Sequence, residues 1–478
     1  MNSLTKEQSA AVESCGKVIV SASAGSGKTF VMIEKLVKAI AGGADLDEIL
    51  AVTFTKKAAA QMKEKLRSAL IARMDGADEE TKTKLKIQLS KISSADISTI
   101  HSLCARLIRT YFYVLDADAG FDIISADDAT AKDLKSRAMD ALFDRLYEED
   151  SKDFKLLLSC FVKKRSDNSL RKLVLEAYNA VRSCAHYEIV LENAENLYTE
   201  KGFNLVCGEY GKILSNKFKR LIYAVQSFKN GFVISKNADV YNIIFDEMLS
   251  ALETCANGGL FVEKPPIVST KKPVSRAGDS MADRIASDNF KAFKDEISKK
   301  YKSLCSDLEN AENERKYFFE SGKIAVAFSR LLLQFDTEYT AVKRDENKLD
   351  YNDLEHLTLK LLADERVRGE INSTYKYVFV DEYQDVNPVQ EEIISGLGRE
   401  VFLVGDVKQA IYGFRGSRSQ FFADKLKDFS RGAGSALKLS NNFRSSDGVL
   451  YFVNAVFSDI MRLDTCGIDY ANDGVMLA

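Results

Sequence analysis

Two features are scarce in this 478-residue sequence: it has only four prolines, and no apolar run is long enough to cross a bilayer. So few prolines argue against collagen-like or proline-rich disordered chains, and the composition, 46% hydrophobic and 29% charged, is ordinary for a folded protein. A membrane span needs roughly 20 consecutive apolar residues, so we expect none. The first residues also lack the charged and then apolar pattern of a secretory signal, which makes a cytoplasmic location the default prediction.

Closely spaced cysteines are also absent, since the nearest two of the eight, Cys184 and Cys207, are 23 positions apart. This spacing excludes a CxxC pair and a zinc-ligand set, and we expect reduced thiols in the protein core. The chain is close to electrically neutral, with 67 basic and 70 acidic residues. A nucleic acid would therefore have to be held by a local groove, because the surface as a whole is not positive.

The order of apolar and amphipathic segments predicts a parallel sheet with crossover helices, interrupted by a long insertion. Residues 115–345 contain charged amphipathic segments, such as 138–149 and 289–316, which predict a mostly helical insertion. The helix that follows the first strand is expected to bury Phe30 and Ile33 on one face. Strands of one sheet are expected at 17–21, 49–54, 96–100, 377–380, 401–404 and 436–439.

Residues 256–280 contain three of the four prolines and three glycines, which predicts an exposed loop or linker within the insertion. Its basic side chains could contact a phosphate backbone, and a solvated loop without a partner is the alternative. These side chains are Lys264, Lys271, Lys272 and Arg276.

A glycine- and serine-rich loop between the first strand and the following helix carries the most specific pattern. It consists of Ala22, Ser23, Ala24, Gly25, Ser26, Gly27, Lys28 and Thr29. The backbone N–H groups of such a loop, together with the helix N-terminus, can bind a polyphosphate. Lys28 would neutralise the β- and γ-phosphate oxygens, and the Thr29 hydroxyl would bind Mg²⁺. The loop departs from the common GxxxxGK[ST] pattern at its first position, which is Ala22.

An acidic pair directly follows the strand expected at 377–380 and supplies the metal partner that a phosphate-binding loop needs. Asp381 would hold Mg²⁺ through water, and Glu382 would orient or deprotonate the attacking water. A solvated acidic turn is the alternative interpretation. Together with the loop at 22–29, the pair predicts a nucleoside triphosphatase site, and the long segment between them must then lie outside the sheet.

A third chemical element, residues 405–416, follows the next strand. Gln409 leaves the strand end beside the predicted metal site, where it could sense the γ-phosphate. Tyr412, Phe414 and Arg415 place aromatic faces beside a cation, as in platforms that stack single-stranded bases. Aromatic residues at this spacing are more often core residues, so the pattern alone does not decide between the two interpretations.

Seven blocks in a fixed order resemble the motif series of superfamily 1 DNA helicases of the UvrD/Rep type. They are residues 4–8, 22–29, 53–59, 98–104, 381–385, 405–416 and 442–445. Two further blocks, 111–121 and 349–354, and the long insertion resemble the A-subunit family of AddAB-type helicase/nucleases. The resemblance covers nearly the whole chain.

The family fold implied by this resemblance is α/β: a RecA-like P-loop NTPase parallel sheet, a large mostly helical insertion domain and the start of a second RecA-like lobe. The implied domains are lobe 1A in two parts, 1–115 and 346–434, the helical insertion domain 1B at 116–345, and the beginning of lobe 2A at 435–478.

The resemblance also implies roles for individual residues, with ATP and Mg²⁺ as cofactors. Gln8 would hydrogen-bond the adenine edge, and Phe443 would stack on its ring. Arg444 would reach the γ-phosphate and stabilise the charge of the transition state. Gln409 would couple the state of the phosphate to the position of the DNA.

Contacts with single-stranded DNA are implied for two groups of residues. The first group is Thr53, Phe54, Thr55, Lys57 and His101, and the second is Tyr412, Phe414 and Arg415. Phe414 stands where relatives often carry tryptophan, so we expect weaker stacking there. A histidine at a strand-to-helix junction is usually structural, and for His101 both interpretations stay open.

The implied function is an ATP-dependent DNA helicase or translocase motor of a helicase/nuclease, acting on DNA ends in double-strand-break repair and recombination. The expected partners are single-stranded and duplex-end DNA and a B-type subunit, without a membrane. No block after Ser445 resembles the later helicase motifs or a nuclease domain, so we expect an N-terminal fragment that hydrolyses Mg-ATP slowly and does not unwind duplex. A stand-alone UvrD-like helicase and a nucleotide-gated single-strand-binding module without productive turnover are the alternatives.

Overall fold

The computed structural model of the chain describes residues 4–115, 117–126, 128–162, 166–258, 280–309, 311–413, 416–462 and 468–477. Most of the loop predicted at 256–280 lies outside these residues. The chain divides into two compact units. The first unit comprises Met1–Ile189, Leu331–Ser458 and Ala471–Ala478, and the second comprises Val190–Arg330 and Asp459–Tyr470.

Within the described ranges, eight strands form two sheets, both in the first unit. In chain order they are β1 (Lys17–Ala22), β2 (Ile49–Thr53), β3 (Asp96–Thr99), β4 (Asp122–Ile124), β5 (Lys348–Asp350), β6 (Tyr377–Val380), β7 (Glu400–Gly405) and β8 (Ser435–Leu439). Six of them form a sheet with the order β3-β2-β6-β7-β1-β8, and all neighbours in it are parallel. This sheet contains all six predicted strands and confirms the α/β prediction.

The helices are α1 (Lys6–Glu13), α2 (Lys28–Ala41), α3 (Lys56–Met74), α4 (Glu79–Lys91), α5 (Ile100–Thr110), α6 (Phe112–Leu115), α7 (Ala129–Glu148), α8 (Lys152–Phe161), α9 (Asn168–Val181), α10 (Tyr187–Glu192), α11 (Ala194–Leu197), α12 (Glu200–Gly231), α13 (Ala238–Gly258), α14 (Met281–Glu309), α15 (Ala311–Asp345), α16 (Tyr351–Ala363), α17 (Glu365–Thr374), α18 (Pro388–Ser395), α19 (Ser419–Asp428) and α20 (Asp447–Ile460). The segments at 138–149 and 289–316 are largely helical, as predicted.

The six-stranded sheet is covered on both faces, because successive residues of a strand point to opposite sides. Val18 and Val20 of β1 belong to the core shared with α1, α2, α3 and α4. Ile19, between them, belongs to the core on the other face, shared with α5, α16, α17 and α18. Because all six strands are parallel, their carboxyl ends lie at the same edge of the sheet, where loops can carry functional side chains.

One detail of this unit agrees with the sequence predictions and another differs. β8 pairs in register with β1, from Val18 with Ser435 to Ala22 with Leu439, as expected for the strand at 436–439, and the assignment of 435–478 to the beginning of lobe 2A stays a prediction. Phe30, expected on the buried face of α2, is 39% exposed, whereas its neighbour Val31 is buried, so the prediction is wrong for Phe30.

The second sheet of this unit was not predicted. β4 and β5 pair in parallel over three residues each, which is too short for a periodic pattern in the sequence.

The second unit is helical, and its core lies among α12, α13 and α14. Aromatic rings dominate this core: Phe290 contacts Phe245 edge-on with centroids 5.1 Å apart, and Phe228 stacks on Phe293 at 4.0 Å. Large apolar side chains on one face of each helix are sufficient to hold such a bundle together.

Within the described part of the chain, every helix is too short or too polar to cross a membrane. None of the seven cysteines described there is in a disulfide. Cys104, Cys255 and Cys305 are buried, whereas Cys15 and Cys160 are exposed, so the prediction of core thiols is wrong for those two.

Candidate nucleotide and DNA site

The loop at 22–29 connects the end of β1 to the start of α2, as its sequence predicted. Gly25 and Gly27 both have left-handed backbone conformations, with φ of 73° and 86°, which glycine adopts without steric cost. Gly27 is the N-cap of α2, and among the described residues no side chain caps this helix. Its first backbone N–H groups are therefore available to a ligand.

Ser26 provides a second sign that the loop accommodates a ligand. Its side chain is 1% exposed, and Oγ has no hydrogen-bond partner among the described residues. A buried hydroxyl without a partner is unfavourable, and a phosphate oxygen would satisfy it. The loop therefore offers a phosphate chain two kinds of hydrogen-bond donor, the backbone N–H groups at the start of α2 and the hydroxyl of Ser26.

The acidic pair lies beside this loop. Nζ of Lys28 is 2.9 Å from Oε2 of Glu382, so the structure brings together the two segments that define the predicted triphosphatase site. The backbone N–H of Asp381 donates to the carbonyl of Val52, which fixes the start of the acidic turn against β2.

Asp381 and Glu382 differ in their electrostatic surroundings. Burial, and then the neighbouring Glu382 carboxylate, raises the pKa of Asp381 to about 6, while Lys28 opposes this effect. A divalent cation would replace the proton, because carboxylate oxygens are the ligands that Mg²⁺ prefers. Glu382 has a left-handed backbone with φ of 52°, an uncommon conformation for a residue with a side chain. Such backbone strain is concentrated at functional sites.

A chain of hydrogen bonds joins the acidic turn to the end of β7, and the sequence analysis did not identify it. Gln384 is 1% exposed; its Nε2 donates to Oε2 of Glu382 (3.0 Å), and its Oε1 accepts from the backbone N–H of Asp406 (2.9 Å). Lys408 donates to Oδ1 of Asp406 at 2.8 Å, and its Nζ also lies 3.5 Å from Oγ of Ser23. Gln384 and Lys408 both lie in the motif blocks, but the contacts of Gln384 with Asp406 and of Lys408 with Ser23 join separate segments.

Gln409 lies on this same connection. Its Nε2 donates to Oδ2 of the buried Asp406 at 2.7 Å. Its predicted role as a γ-phosphate sensor stays a prediction. Gln409 shares the Asp406 carboxylate with its sequence neighbour Lys408, whose Nζ lies near Ser23 of the phosphate-binding loop.

Gln8 also contacts the loop. Its Nε2 donates to the carbonyl of Ser26 at 3.1 Å, and its Oε1 accepts from the backbone N–H of Thr5 at 3.1 Å. An amide side chain has two donor hydrogens and two acceptor lone pairs, so one donor and one acceptor remain for an adenine edge.

Residues 442–444 also lie against this loop. Asn442 donates from Nδ2 to the carbonyl of Ala24 (2.7 Å), and the backbone N–H of Phe443 donates to the carbonyl of Gly25 (2.9 Å). A Cβ built on Gly25 would be 2.9 Å from Cβ of Arg444. The Phe443 side chain is 62% exposed, which leaves its ring accessible to a base. The predicted adenine and γ-phosphate contacts are therefore adjacent to the predicted phosphate site.

Three of the residues predicted to contact DNA lie around a cavity of about 450 Å³ that Asp381 and Glu382 also line. Thr53, Phe54 and His101 contribute to its wall. The rings of Phe54 and Tyr412 have centroids 4.4 Å apart, so the two groups of predicted DNA contacts meet at this aromatic pair. Stacking platforms for single-stranded bases have this composition.

The other predicted DNA contacts have different surroundings. Thr55 is the N-cap of α3, accepting from the backbone N–H of Ala58 at 3.0 Å, and Lys57 is exposed in the first turn of that helix. Thr55 therefore has a structural role whether or not it contacts DNA. Phe414 and Arg415 lie outside the described residues.

His101 is held by a residue that the sequence analysis did not single out. Its Nε2 is 2.9 Å from Oε1 of Glu355, and its ring lies 4.6 Å from the ring of Tyr351. The block at 349–354 indicated this region, but nothing in it indicated that Glu355 would contact a residue 254 positions away.

The chain is similar to known helicase proteins. It is 31% identical over 514 aligned residues to the A subunit of the ATP-dependent helicase/nuclease from Clostridium botulinum (strain Hall), with 95% of this chain and 40% of that protein covered. It is 31% identical to the protein of the same name from Ligilactobacillus salivarius (96% and 39% covered) and 30% identical to that from Lactobacillus helveticus (100% and 42% covered). The chain spans about 40% of the length of these curated relatives.

The family model of the UvrD/REP helicase N-terminal domain matches residues 4–430. This match contains the phosphate-binding loop, the acidic pair, the cavity and the aromatic pair described above. The chain therefore belongs to the UvrD/REP helicase N-terminal domain family.

Proposed function

We propose that this chain is the ATP-driven motor portion of a DNA helicase/nuclease that acts on DNA ends in double-strand-break repair and recombination. The observation that carries the proposal is the 2.9 Å contact between Lys28 and Glu382, because it joins a phosphate-binding loop to an acidic pair. The relatives are named as parts of an ATP-dependent helicase/nuclease, which supports ATP use and a helicase activity.

Mg-ATP is the cofactor that these residues fit. Lys28 and the N–H groups at the start of α2 would bind the phosphates, and Thr29 and Asp381 would hold the metal ion. Mg²⁺ would supply neutralisation of the charge on the phosphate oxygens. When the phosphates displace Glu382 from Lys28, the freed Glu382 carboxylate would orient the attacking water. Arg444 would stabilise charge at the γ-phosphate.

Single-stranded DNA would bind along the cavity and the Phe54–Tyr412 pair. The relatives are named as one subunit of their enzyme, which supports a further, B-type partner protein. Duplex DNA ends as a substrate and a cytoplasmic location stay predictions from the sequence.

The test is an ATPase assay of the purified chain, with and without a single-stranded oligonucleotide. We expect stimulation by DNA, and we expect Phe54→Ala to lose much of it, since base stacking contributes about 1–3 kcal/mol per base. Lys84→Ala is the matched control, because Lys84 is exposed on α4 and pairs only with Glu80 among the described residues. Equal stimulation of Phe54→Ala and wild type would contradict the proposed DNA path.

Two alternatives predict different results. A nucleotide-gated binding module would bind the oligonucleotide without turnover of ATP. A stand-alone helicase would show the same stimulated ATPase, and it would be distinguished by a gene that encodes no nuclease domain downstream of residue 478.

A further inference from the structure

We propose that Glu355 is a positioning residue that fixes His101 for contact with DNA and links this contact to the acidic turn. This inference rests on the proposed DNA-dependent ATPase function. Nothing in the motif blocks or in the names of the relatives assigns a role to Glu355.

The side chain of Glu355 is 2% exposed, and both of its oxygens accept hydrogen bonds. Oε1 accepts from Nε2 of His101 (2.9 Å) and from Nε2 of Gln390 (2.7 Å), and Oε2 accepts from Nδ2 of Asn387 (3.0 Å). Burial alone would raise the pKa of this carboxyl, but the hydrogen bonds, first that from His101, outweigh burial and lower it. Glu355 is therefore ionised at neutral pH.

An ionised Glu355 determines which nitrogen of His101 carries a proton. Nε2 must be the donor, since a carboxylate can only accept, and Nδ1 remains for another partner. The imidazole is oriented by a second contact as well, because its ring lies 4.6 Å from the ring of Tyr351. About a third of the His101 side chain, 32%, is still exposed. His101 is thus held in one orientation and remains accessible.

His101 and Tyr351 both line the 450 Å³ cavity, together with Phe54 and Asp381. A group that binds in this cavity would contact the imidazole that Glu355 orients. Single-stranded DNA is the occupant that the aromatic lining favours, because every base presents a π-face.

Glu355 also contacts the segment that follows the acidic turn. Asn387 is the N-cap of α18, and it accepts from the backbone N–H of Gln390 at 2.8 Å. This helix begins at Pro388, three positions after Asp385, the last residue of the acidic block. A displacement of the acidic turn would move the start of α18, and the Glu355 carboxylate would transmit that movement to His101.

A buried carboxylate with three donors could instead serve only stability. The burial of Glu355 does not by itself show that it stabilises the fold, because the cost of removing its charge from water opposes the attraction to its donors. The two roles are distinguished by coupling: a positioning residue acts on DNA only through His101, whereas a structural residue weakens the protein with or without that side chain.

The experiment is a double-mutant cycle with Glu355→Gln, His101→Ala and the combined variant. It measures the oligonucleotide concentration that gives half-maximal stimulation of the ATPase, and the KM for ATP without DNA. Glu355→Gln removes the negative charge of the acceptor and should raise that DNA concentration about tenfold, because a hydrogen bond to a charged group is stronger than one to a neutral amide, and it should leave the KM for ATP unchanged. The combined variant should match His101→Ala. Additive effects, or an equal change in the KM for ATP, would overturn the inference.

A second measurement does not depend on whether Glu355→Gln folds. The chain has only three histidines, so ¹⁵N-histidine labelling and comparison with His101→Ala identify the His101 ring signals. We expect Nε2 of His101 to be protonated in the wild-type chain at neutral pH, and a ring protonated on Nδ1 alone would overturn the inference. If the wild-type chain neither binds the oligonucleotide nor is stimulated by it, the proposed function is overturned together with this inference. If the wild-type chain responds to DNA but the effects of the two substitutions are additive, only the role of Glu355 is overturned.

Discussion

Lys28 and Glu382 are 354 positions apart in the chain, and yet Nζ of the lysine lies 2.9 Å from Oε2 of the glutamate. Their side chains are 13% and 35% exposed, so the ion pair is partly screened by solvent. The contact is formed because β1 and β6 are parallel strands of one sheet, and their carboxyl ends lie at the same edge. A triphosphate bound in the loop would compete with Glu382 for the same ammonium group.

This competition predicts opposite effects of two substitutions on nucleotide binding. Lys28→Ala should weaken ATP binding and lower hydrolysis at least about 100-fold, because the phosphate charge loses its counter-ion. Glu382→Gln should also block hydrolysis, but it should bind ATP at least as tightly as wild type, because Lys28 is released from its carboxylate partner. Titration with a fluorescent ATP analogue and a phosphate-release assay measure the two quantities.

The control for both variants is Lys38→Ala on the same helix, whose ammonium pairs with Glu13 at the surface. It should have wild-type affinity and turnover. Weaker nucleotide binding by Glu382→Gln than by wild type would contradict the competition.

Asp381 predicts a pH dependence of stability. Its pKa rises from the ordinary 3.8 to about 6 in the folded chain, chiefly because of burial, so the folded state binds this proton more tightly than the unfolded state does. The resulting stability is fully present below pH 3.8 and is lost as the pH rises through 6, by about 3 kcal/mol at most. Asp381→Asn carries no charge and should be more stable than wild type at pH 8, and about half of this advantage should remain at pH 5.

Urea unfolding without nucleotide or metal at the two pH values tests this expectation. Asp78→Asn is the control, because hydrogen bonds from Thr81 lower the pKa of Asp78, and its substitution should give no gain at pH 8. An advantage of Asp381→Asn that is equal at pH 5 and pH 8 would exclude the raised pKa as its cause.

Gly25 predicts a steric effect that can be separated from backbone strain. Gly25 and Gly16 have nearly equal φ values, 73° and 76°, so an alanine at either position adopts an unfavourable left-handed conformation at a cost of about 1–2 kcal/mol. A Cβ on Gly25 would also lie 2.7 Å from Nδ2 of Asn442, whereas a Cβ on Gly16 would have no atom within 4 Å.

Both alanine variants should therefore unfold at lower urea concentration, but only Gly25→Ala should also displace residues 442–444 and weaken ATP binding. Calorimetric titration with a non-hydrolysable ATP analogue measures the difference. Equal ATP affinity of the two variants would show that the contact between Gly25 and Asn442 is unimportant for the nucleotide site.

Local patterns explain which parts of this structure were predictable. The phosphate-binding loop and Asp381 both follow short apolar strands, and the residues that define them are neighbours in the sequence. In contrast, the contacts of Glu355 with His101 and of Lys408 with Ser23 join segments that are far apart, and they depend on the packing of whole elements. The strand at 436–439 was predicted, but its choice of β1 as the neighbouring strand depends on tertiary packing and could not be read from its own sequence.

A buried cation in the first unit predicts a large loss of stability. Lys343 is 1% exposed, and its ammonium contacts the carboxylates of Asp350 and Asp353, which are 6% and 7% exposed. Burial opposes ionisation of Asp350, but Lys343 and then Arg182 lower its pKa to about 2. Lys343→Met would leave two buried carboxylates with Arg182 alone, and we expect a loss of about 3–5 kcal/mol in the free energy of unfolding at pH 7.

Lys348→Met is the control. It removes a partly exposed pair with Glu346, and it should cost at most about 1 kcal/mol. Because the unpaired carboxylates can take up protons, the loss for Lys343→Met should shrink as the pH falls, and a loss that is independent of pH between 5 and 8 would contradict a charge-based cause.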